Sequence, residues 1–254
     1  MLSYQHGYHA GGPADLHKHV ALAGLLALLT RKARPVTYME SHAGRGLYDL
    51  QGEQASKTGE WRAGIGAAIP ADAPFRQALD TIRAQHGPHA YPGSPAIARA
   101  LLRPTDRLIL MELHPAEHAA LTANIPGAEI HRRDGCEGLL ALAPPKPRKG
   151  LALIDPSYER KEEYAETAAF ALALARKWPD AAILVWYPLL PAARHVGMVG
   201  HLRASAPATL LGETTFPPHG GRKTGMTGSG LALLNPPHGA REILGDHRPS
   251  ENNE

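Results

Sequence analysis

Three short apolar runs, each closed by an acidic residue, recur at a nearly constant spacing in the middle of this chain. The acids are Glu112, Asp134 and Asp155, which lie 22 and then 21 residues apart. That spacing is about the length of one short strand, one helix and two loops. Parallel strands joined by helices end at the same edge of their sheet, where open α/β sheets bind ligands. The pattern therefore predicts an α/β fold with three carboxylates along one edge of a mostly parallel sheet.

The same alternation of strands and helices extends in both directions. Asp15 precedes a helical pattern that runs to about Arg31. Strands are predicted at 36–40, 107–113, 128–134, 151–155, 181–187, 209–216 and 230–234, and helices at 115–123, 136–143, 164–177 and 192–204. The last two strands are joined without a helix and should pair antiparallel. We interpret residues 1–254 as one domain.

Two stretches fall outside this alternation. Between Glu40 and Glu112 the chain is about 50 residues longer than one repeat needs. The excess is punctuated by glycine and proline and has a helical pattern at 75–85, so we predict a small helical insertion over 49–91 that lies above the ligand cleft. Residues 238–254 are polar and are predicted to form a flexible tail.

Composition is that of an ordinary globular chain. The sequence has 254 residues, of which 43% are hydrophobic, enough for a sizeable core. Its single cysteine, Cys136, excludes an internal disulfide and a cysteine zinc cluster. The first residues lack the regions of a secretory signal, and the apolar stretch 20–29 is too short to span a bilayer. We therefore expect a cytoplasmic protein without membrane contact.

Positive charge is modest overall but locally clustered. The formal net charge of +3 permits contact with a polyanion without requiring it. Four clusters stand out: Arg31, Lys32 and Arg34; Arg132 and Arg133; Lys146, Arg148 and Lys149; Arg222 and Lys223. Each is compatible with a phosphate contact or with an ordinary solvated surface.

The run at 150–154 leads into Asp155-Pro156-Ser157-Tyr158. A carboxylate accepts a hydrogen bond from an amine, a proline fixes the backbone so that a carbonyl accepts a second, and an aromatic ring stacks on a flat ligand. Together these groups indicate methylation of an amine on a nucleobase. Because Asp and Pro also favour turns, an ordinary turn after a strand is the alternative interpretation.

The loop after the first predicted strand contains Gly44 and Gly46, which allow a ligand close to the backbone. A dinucleotide site would need a third glycine where Asp49 stands, and a Walker loop would need a glycine directly before Lys223. A glycine loop, one acid for ribose hydroxyls and one acid facing an adenine amine suit S-adenosyl-L-methionine, which carries no pyrophosphate. Each acid alone is also compatible with an ordinary solvated position.

Histidines near the amino terminus offer a rival interpretation. His6, His9, His17 and His19, with Asp15 nearby, could form the metal site of a hydrolase or nuclease. His17 and His19 are two residues apart on a predicted helix and do not share a face, unlike the i, i+4 pair of a zinc helix. We therefore expect no metal.

The sequence resembles the bacterial RlmJ family in blocks that follow one another in order over nearly the whole chain. The blocks are 1–11 (MLSYQHGYHAG), 14–19 (ADLHKH), 41–44 (SHAG), 91–95 (YPGSP), 112–115 (ELHP), 134–135 (DG), 155–158 (DPSY), 186–188 (WYP) and 225–227 (GMT). The resemblance implies a Rossmann-like class I methyltransferase with a seven-stranded sheet. It also implies transfer of a methyl group from S-adenosyl-L-methionine to the exocyclic amine of an adenine in 23S ribosomal RNA, with S-adenosyl-L-homocysteine as the product. The RNA would be met before the large subunit is fully assembled, and we expect a monomer.

The resemblance also implies roles for individual residues. Its cofactor-binding positions correspond to His19, His42, Ser94, Glu112, Asp134 and Gly135, with Lys18, Gly44 and Asp155 beside them. Asp155 and Pro156 would accept the two amine hydrogens of a flipped-out base, and Tyr158 would stack on its ring. Tyr4 and His6 would close over that base.

Three positions depart from the family pattern: Ser157 replaces Pro, Glu40 replaces Asp, and Gly12 replaces Asn. Ser157 lies inside the catalytic loop, but Pro156 remains, so we expect activity to survive with a looser loop. The loop itself would equally suit an adenine in DNA or another RNA, or a protein glutamine amide. An RNA-binding protein with a decayed site would be expected to lack one of the three acids, and all three are present.

Overall fold

The computed structural model describes residues 5–221 and 225–245, and within them a seven-stranded sheet forms the centre of the molecule. The strands are β1 (Thr37–Glu40), β2 (Leu47–Asp49), β3 (Ala90–Pro92), β4 (Arg107–Met111), β5 (Glu129–His131), β6 (Gly150–Ile154), β7 (Ala181–Leu189), β8 (Leu210–Thr215) and β9 (Gly228–Leu234). The helices are α1 (Pro13–Thr30), α2 (Glu53–Thr58), α3 (Ala73–His86), α4 (Ser94–Leu101), α5 (Pro115–Asn124), α6 (Gly135–Leu142), α7 (Glu163–Lys177), α8 (His195–Ser205) and α9 (Ala240–Leu244).

β1 lies at the middle of the sheet, whose strand order is β5-β4-β1-β6-β7-β9-β8. It pairs in parallel with both neighbours, so that Thr37 lies opposite Arg107 on one side and Gly150 on the other. β9 runs antiparallel to β7 and to β8. The predicted mostly parallel α/β sheet is therefore confirmed, including its antiparallel final pair.

The central strands are buried throughout and mostly hydrophobic, because helices cover both faces of the sheet. Every residue of β1, β6 and β7 is buried, and each large side chain there contributes about 1.5–3 kcal/mol by burial. Gly150 begins β6 because a Cβ at this position would come within 2.1 Å of the Thr37 carbonyl oxygen and 2.6 Å of the Trp178 ring. Glycine thus allows β6 to lie directly against β1 and the buried Trp178.

The predicted insertion contains α2, α3 and a 3-10 turn at Glu60–Arg62, but it begins and ends in a two-stranded antiparallel sheet formed by β2 and β3. The sequence did not predict that sheet. α3 packs against α1 and α4. None of the described residues of α2 or α3 is among those that line the cavity at the sheet edge, and the position of the insertion above the ligand cleft stays a prediction.

The insertion also holds the amino-terminal segment. Gln54 donates a hydrogen bond to the Gln5 side-chain oxygen at 2.6 Å, and the Glu60 carboxylate lies 3.0 Å from His9 Nδ1. The Ile65 N–H donates to the Gly11 carbonyl at 2.9 Å. These contacts fix the course of residues 5–11 before α1 begins.

The carboxyl-terminal prediction needs a correction. The polar composition after 238 predicted a flexible tail, but Ala240–Leu244 form α9, which packs against α1 and β8. Ala240 and Leu244 are buried, so two apolar side chains suffice to hold this short helix in place. Residues 246–254 lie outside the described residues. Among the helices of the described ranges, none has the length and apolarity needed to cross a membrane.

Candidate active site

A cavity of about 620 Å³ opens at the carboxyl edge of the sheet, where the predicted acids lie. Most of the site residues implied by the resemblance meet there: His6, Lys18, His19, His42, Gly44, Ser94, Glu112, Asp134, Gly135, Asp155 and Pro156. They come from the amino-terminal segment, from α1 and from the segments that follow β1, β3, β4, β5 and β6. The parallel sheet therefore gathers side chains from all along the sequence into one site.

The loop after β1 fixes the carboxylate of Glu112. The Gly44 N–H donates to Glu112 Oε2 at 2.8 Å, and the His114 N–H donates to Oε1 at 2.7 Å. Gly44 has a φ of +59°, and a Cβ there would lie 2.6 Å from the Tyr48 hydroxyl. Two backbone donors thus hold Glu112 in place, while its remaining lone pairs can accept hydrogen bonds from ligand hydroxyls.

Asp134 and Gly135 form the start of α6 against the same loop. Asp134 caps the helix by accepting a hydrogen bond from the Glu137 N–H at 2.9 Å, and its side chain is exposed to the cavity. A Cβ on Gly135 would lie 1.9 Å from the Ser41 carbonyl oxygen. Only a glycine therefore permits this close approach of α6 to the end of β1.

A buried group of charges lies at the inner end of the cavity. Lys18 Nζ is 2.5 Å from Asp155 Oδ2 and 3.2 Å from Asp15 Oδ1. Burial opposes the charge on Lys18, but the two carboxylates outweigh it and raise the pKa of Lys18 above its usual range. Burial likewise opposes the charge on Asp15, yet His6, Lys18 and His19 hold the pKa of Asp15 well below its usual range. The site therefore contains one buried ammonium between two carboxylates.

His6 and His19 both contact this group through Asp15. His6 Nε2 lies 3.0 Å from Asp15 Oδ2, and the Gly11 N–H donates to the same oxygen at 3.0 Å. His19 Nδ1 lies 2.8 Å from the Tyr91 hydroxyl. Burial lowers the pKa of His19 to about 3, so its ring is neutral at physiological pH. The amino-terminal segment places His6 at the cavity wall, and its predicted closure over the base stays a prediction.

The four amino-terminal histidines do not converge on one point: His6 and His19 lie near Asp15, whereas His9 and His17 have other partners. His9 contacts Glu60, and His17 contacts Ser229. Within the described ranges no three His, Cys, Asp or Glu side chains are arranged to hold a metal ion. Tyr4 precedes the described residues, so its predicted contact with the base stays a prediction.

Tyr158 lies elsewhere than its predicted stacking role would require. Its ring is only 5% exposed and packs against Tyr164 at a centroid distance of 4.5 Å. Its hydroxyl donates to the Trp186 carbonyl at 2.8 Å, and its φ of +53° is unusual for a tyrosine. In this conformation the ring is held against β7 and is not among the residues that line the cavity.

A chain of contacts that the sequence did not reveal leads from β9 to Asp155. The Trp186 indole N–H donates to Ser229 Oγ at 2.8 Å, and His17 Nδ1 lies 3.0 Å from that oxygen. Lys18 Nζ lies 5.6 Å from the centre of the Trp186 ring, within the range of a cation–π interaction. Ser229 therefore fixes the ring on which the Lys18 ammonium rests.

The hydrogen-bond donors among Trp186, Ser229 and His17 decide which of their atoms carry the protons. The indole N–H can only donate, so Ser229 accepts from it and has its own proton left for His17 Nδ1. Burial outweighs the attraction of Glu213 and lowers the pKa of His17 to about 4, so its ring is neutral at physiological pH and has one nitrogen that can accept. Nothing in the sequence marks Ser229 as a partner of Trp186, because they lie on strands that are 43 residues apart.

Glu40 is a fully buried carboxylate beside the cavity wall. It accepts hydrogen bonds from the Tyr38 hydroxyl at 2.9 Å and from the Ser94 hydroxyl at 2.5 Å. Burial, opposed by these two hydroxyls, raises the pKa of Glu40 to about 8. The longer side chain that replaces the family's Asp is thus coupled directly to Ser94.

This environment predicts a pH-dependent stability. The folded state retains the Glu40 proton up to about pH 8, whereas an unfolded chain releases it near pH 4.3. Stability from this residue is therefore complete below the lower value and is lost as the pH rises towards 8. Glu40→Gln carries no such proton, so its free energy of unfolding relative to wild type should rise by on the order of 1–2 kcal/mol between pH 6 and pH 8.

Urea unfolding at closely spaced pH values measures this difference. Glu137→Gln, which removes an exposed carboxylate, is the matched control and should track wild type across the range. A constant difference between Glu40→Gln and wild type from pH 6 to pH 8 would show that Glu40 is ionised throughout.

Several lining residues were not predicted, among them Ser41, Tyr48 and Leu113. Ser41 lies next to the predicted His42, and Leu113 lies next to the predicted Glu112. Both residues follow the end of a strand, and that position could have identified them from the sequence. Leu113 is 44% exposed and offers an apolar face beside Glu112. Tyr48 reaches the cavity through β2, which has no periodicity that could have identified it.

Comparison of the sequence with known proteins gives a family model and two relatives that all carry the name of a ribosomal RNA large subunit methyltransferase. The sequence model of a family described as "Ribosomal RNA large subunit methyltransferase D, RlmJ" matches residues 33–247. A protein of Escherichia coli (strain K12) named Ribosomal RNA large subunit methyltransferase J is 35% identical over 247 residues, which cover 93% of this chain and 88% of the relative. A protein of the same name from Haemophilus influenzae is 33% identical over 249 residues, with the same coverage.

The fold has a close experimental counterpart as well. A crystal structure of a Legionella pneumophila protein matches with a TM-score of 0.80 and 35% sequence identity. The match covers 93% of this chain and 92% of that one. The similarity therefore extends over most of this chain.

Proposed function

Because this chain belongs to the RlmJ family of ribosomal RNA large subunit methyltransferases, we propose that it methylates the exocyclic amine of an adenine in 23S ribosomal RNA. Methylation of large-subunit ribosomal RNA is the activity of the family, and its fold is the Rossmann-like fold of class I methyltransferases. The choice of an adenine amine depends on one observation. Asp155 and Pro156 face the same cavity as Glu112 and Asp134, so an amine-binding loop adjoins a nucleoside-binding edge.

The methyl donor of this family, S-adenosyl-L-methionine, fits the residues of the cavity. Glu112 can accept hydrogen bonds from ribose hydroxyls, Asp134 from an adenine amine, and Leu113 offers an apolar contact for a ring. The absence of side chains at Gly44 and Gly135 keeps this edge open to the ligand. The carboxylates also suit a ligand with two cationic groups. When bound, this donor supplies an electrophilic methyl group carried on a sulfonium.

Asp155 and Pro156 prepare the amine for attack. An adenine amine is a poor nucleophile because its lone pair is delocalised into the ring. Lys18 occupies Asp155 Oδ2, which leaves Oδ1 to accept one amine hydrogen while the Pro156 carbonyl accepts the other. Holding both hydrogens turns the lone pair out of conjugation. Orientation and fixed dipoles of this kind can be worth roughly 7–11 kcal/mol, and no covalent intermediate on the protein is needed.

Tyr158 can stack on the base only after its ring leaves the pocket formed by Tyr164 and Trp186. Stacking would contribute about 1–3 kcal/mol towards the cost of unstacking the base from its RNA. Ser157, in place of the family's proline, removes one backbone restraint next to Tyr158. The replacement of proline by Ser157 thus favours movement of the Tyr158 ring.

The contact chain from Ser229 to Lys18 yields a second testable expectation. Ser229→Ala leaves the Trp186 N–H buried without its acceptor, at a cost of about 1–3 kcal/mol in stability. The Trp186 ring should shift, and with it the Lys18 and Asp155 pair. We expect kcat to fall roughly tenfold while KM for S-adenosyl-L-methionine changes little, since misplacement by about 1 Å can cost up to 10²-fold.

Steady-state kinetics with two controls test this role. Ser229→Thr keeps the hydroxyl and should restore most of kcat. Thr209→Val removes another buried hydroxyl, one that donates to Ala206 far from the cavity, and should lower stability alone. Equal losses of kcat in Ser229→Ala and Thr209→Val would assign Ser229 a purely structural role.

The proposed function is tested by offering separate substrates. The protein is incubated with methyl-labelled S-adenosyl-L-methionine and either protein-free 23S ribosomal RNA, assembled large subunits or DNA, and the nucleosides are then analysed. We expect N6-methyladenosine in protein-free RNA, less in assembled subunits and none in DNA. Label only in DNA, label on another nucleoside, or no label in any nucleic acid would contradict the proposal. Such an RNA substrate would place the protein in the cytoplasm.

A further inference from the structure

Two basic clusters that are far apart in the sequence become neighbours at the amino end of the sheet. The loop before β1 carries Arg31, Lys32 and Arg34, and the loop before β6 carries Lys146 and Lys149. The Thr37 N–H donates to the Lys149 carbonyl at 2.9 Å, and the Thr37 hydroxyl donates to the Pro147 carbonyl at 2.8 Å. Parallel pairing of β1 with β6 therefore creates one surface, here called the basic edge: Arg31, Lys32, Arg34, Lys146 and Lys149.

The backbone beneath the basic edge is held by Arg103. Its guanidinium donates to the carbonyls of Thr30, Lys32 and Arg34 at 3.3, 2.7 and 2.8 Å. Asp106 binds Arg103 at 2.8 Å and accepts a hydrogen bond from the Val36 N–H at 2.9 Å. The Asp106 carboxylate is thereby engaged, while the side chains of Arg31, Lys32 and Arg34 are exposed.

The charges of the basic edge are not neutralised by the protein. Within the described part of the chain, none of its five side chains takes part in an ion pair. Other cations of the same region do so: Arg107 binds Glu129, and Arg148 binds Asp180. Burial, followed by the positive charges of Arg34 and Lys32, lowers the pKa of Lys149 despite the attraction of Asp180. Cations are thus crowded on one surface.

We propose that the basic edge binds the phosphate backbone of structured RNA, so that the substrate is held at two separate places. This inference rests on the proposed function. The basic edge lies before the first residues of β1 and β6, whereas the cavity lies beyond their last residues. β6 alone spans roughly 16 Å, so one nucleotide cannot touch both surfaces. Contacts to phosphates supply affinity and orientation without reading sequence.

Of the four basic clusters, these two fit phosphate binding best. In the pair Arg132 and Arg133, Arg133 lies 3.9 Å from Glu137, and Arg222 and Lys223 lie outside the described residues. If the basic edge is only a solvated surface, removing its charges will not change RNA binding. A third possibility is an anionic lipid surface, which the experiment below distinguishes.

The test compares two triple variants of the full chain that lose the same charge. Lys32→Gln/Arg34→Gln/Lys149→Gln removes the centre of the basic edge, and Arg99→Gln/Arg176→Gln/Arg203→Gln removes three cations outside it. Dissociation constants for a long protein-free 23S fragment are measured between 50 and 200 mM KCl. The first variant should bind roughly tenfold more weakly at low salt, with a salt slope flatter by about 2–3, as expected for three lost phosphate contacts. The control should keep the wild-type slope.

Methyl transfer to a short hairpin carrying only the target base separates the two surfaces. Because such a hairpin reaches the cavity alone, both variants should methylate it at the wild-type rate. The double variant Lys32→Gln/Arg34→Gln, which leaves the half-buried Lys149 intact, repeats the measurement with less risk to folding. Equal RNA affinities and slopes in both triple variants would overturn the proposal while leaving the proposed function intact.

Two further outcomes would also be decisive. Loss of binding to phosphatidylserine vesicles without any loss of RNA binding would assign the basic edge to a lipid surface and overturn the proposal. Failure of the wild-type chain to bind or methylate any RNA would overturn the proposed function, and this inference with it.

Discussion

Asp155→Asn is expected to bind S-adenosyl-L-methionine with wild-type affinity and to transfer methyl groups to RNA about 10²–10³-fold more slowly, or not at all. The reason lies in the contact between Lys18 and Asp155. An ammonium can only donate, so it selects the oxygen of the Asn amide. The NH₂ group then faces the adenine amine and presents hydrogens to hydrogens. One acceptor for the amine is lost and a repulsive donor replaces it.

Calorimetry measures the affinity for the cofactor, and single-turnover kinetics measure the rate of methyl transfer, so the two expectations are tested separately. Asp80→Asn, which neutralises an exposed partner of Arg76, serves as the control and should leave both unchanged. Undiminished transfer by Asp155→Asn would exclude Asp155 as the amine acceptor. Loss of cofactor binding together with transfer would assign it to the cofactor instead.

Lys18→Met is expected to lose about 3–5 kcal/mol of unfolding free energy at pH 7, because it leaves two buried carboxylates without their shared cation. The side chains of Asp15 and Asp155 are only 4% and 12% exposed. His6 and His19 lie near Asp15, but neither contacts Asp155. The uncompensated charge is therefore greatest at Asp155, and methyl transfer should be lost with it.

A double-mutant cycle isolates this interaction. In the background of Asp155→Asn, the same Lys18→Met change should cost less by about 0.5–3 kcal/mol, because one of the stranded charges is gone. Lys161→Met removes an exposed lysine and should stay within about 0.5 kcal/mol of wild type. Additive effects of Lys18→Met and Asp155→Asn would mean that the two groups do not interact in solution.

The sequence predicted the edge of the sheet at which the site lies because its signal is local. Each acid follows an apolar run, and parallel strands bring such run ends together whatever the details of packing. The positions of Glu112, Asp134 and Asp155 around one cavity follow from that rule alone. The residue-level assignments to cofactor and substrate came from the resemblance and stay predictions.

The features that could not be predicted from the sequence depend on tertiary contacts that leave no local sequence pattern. The inward direction of Tyr158 depends on the pocket offered by Tyr164 and the Trp186 carbonyl. The insertion contacts the amino-terminal segment through pairs such as Gln54 and Gln5, which no periodicity connects. Likewise, the merging of two basic clusters depends on strand order, which spacing alone does not specify. α9 was missed because its few apolar residues are too short a run to register as a helix.

The central position of β1 has a consequence for how this protein is made. β1 is synthesised before both of its neighbours, since Thr37 pairs with Arg107 and with Gly150. Lys18 and Asp155 are 137 positions apart. At a translation rate of 5–20 residues per second, roughly 7–27 s pass between the synthesis of Lys18 and that of Asp155. Contacts of such high sequence separation also form slowly after release. With Asp155 as the proposed amine acceptor, methyl transfer therefore requires the chain to have been made beyond residue 155.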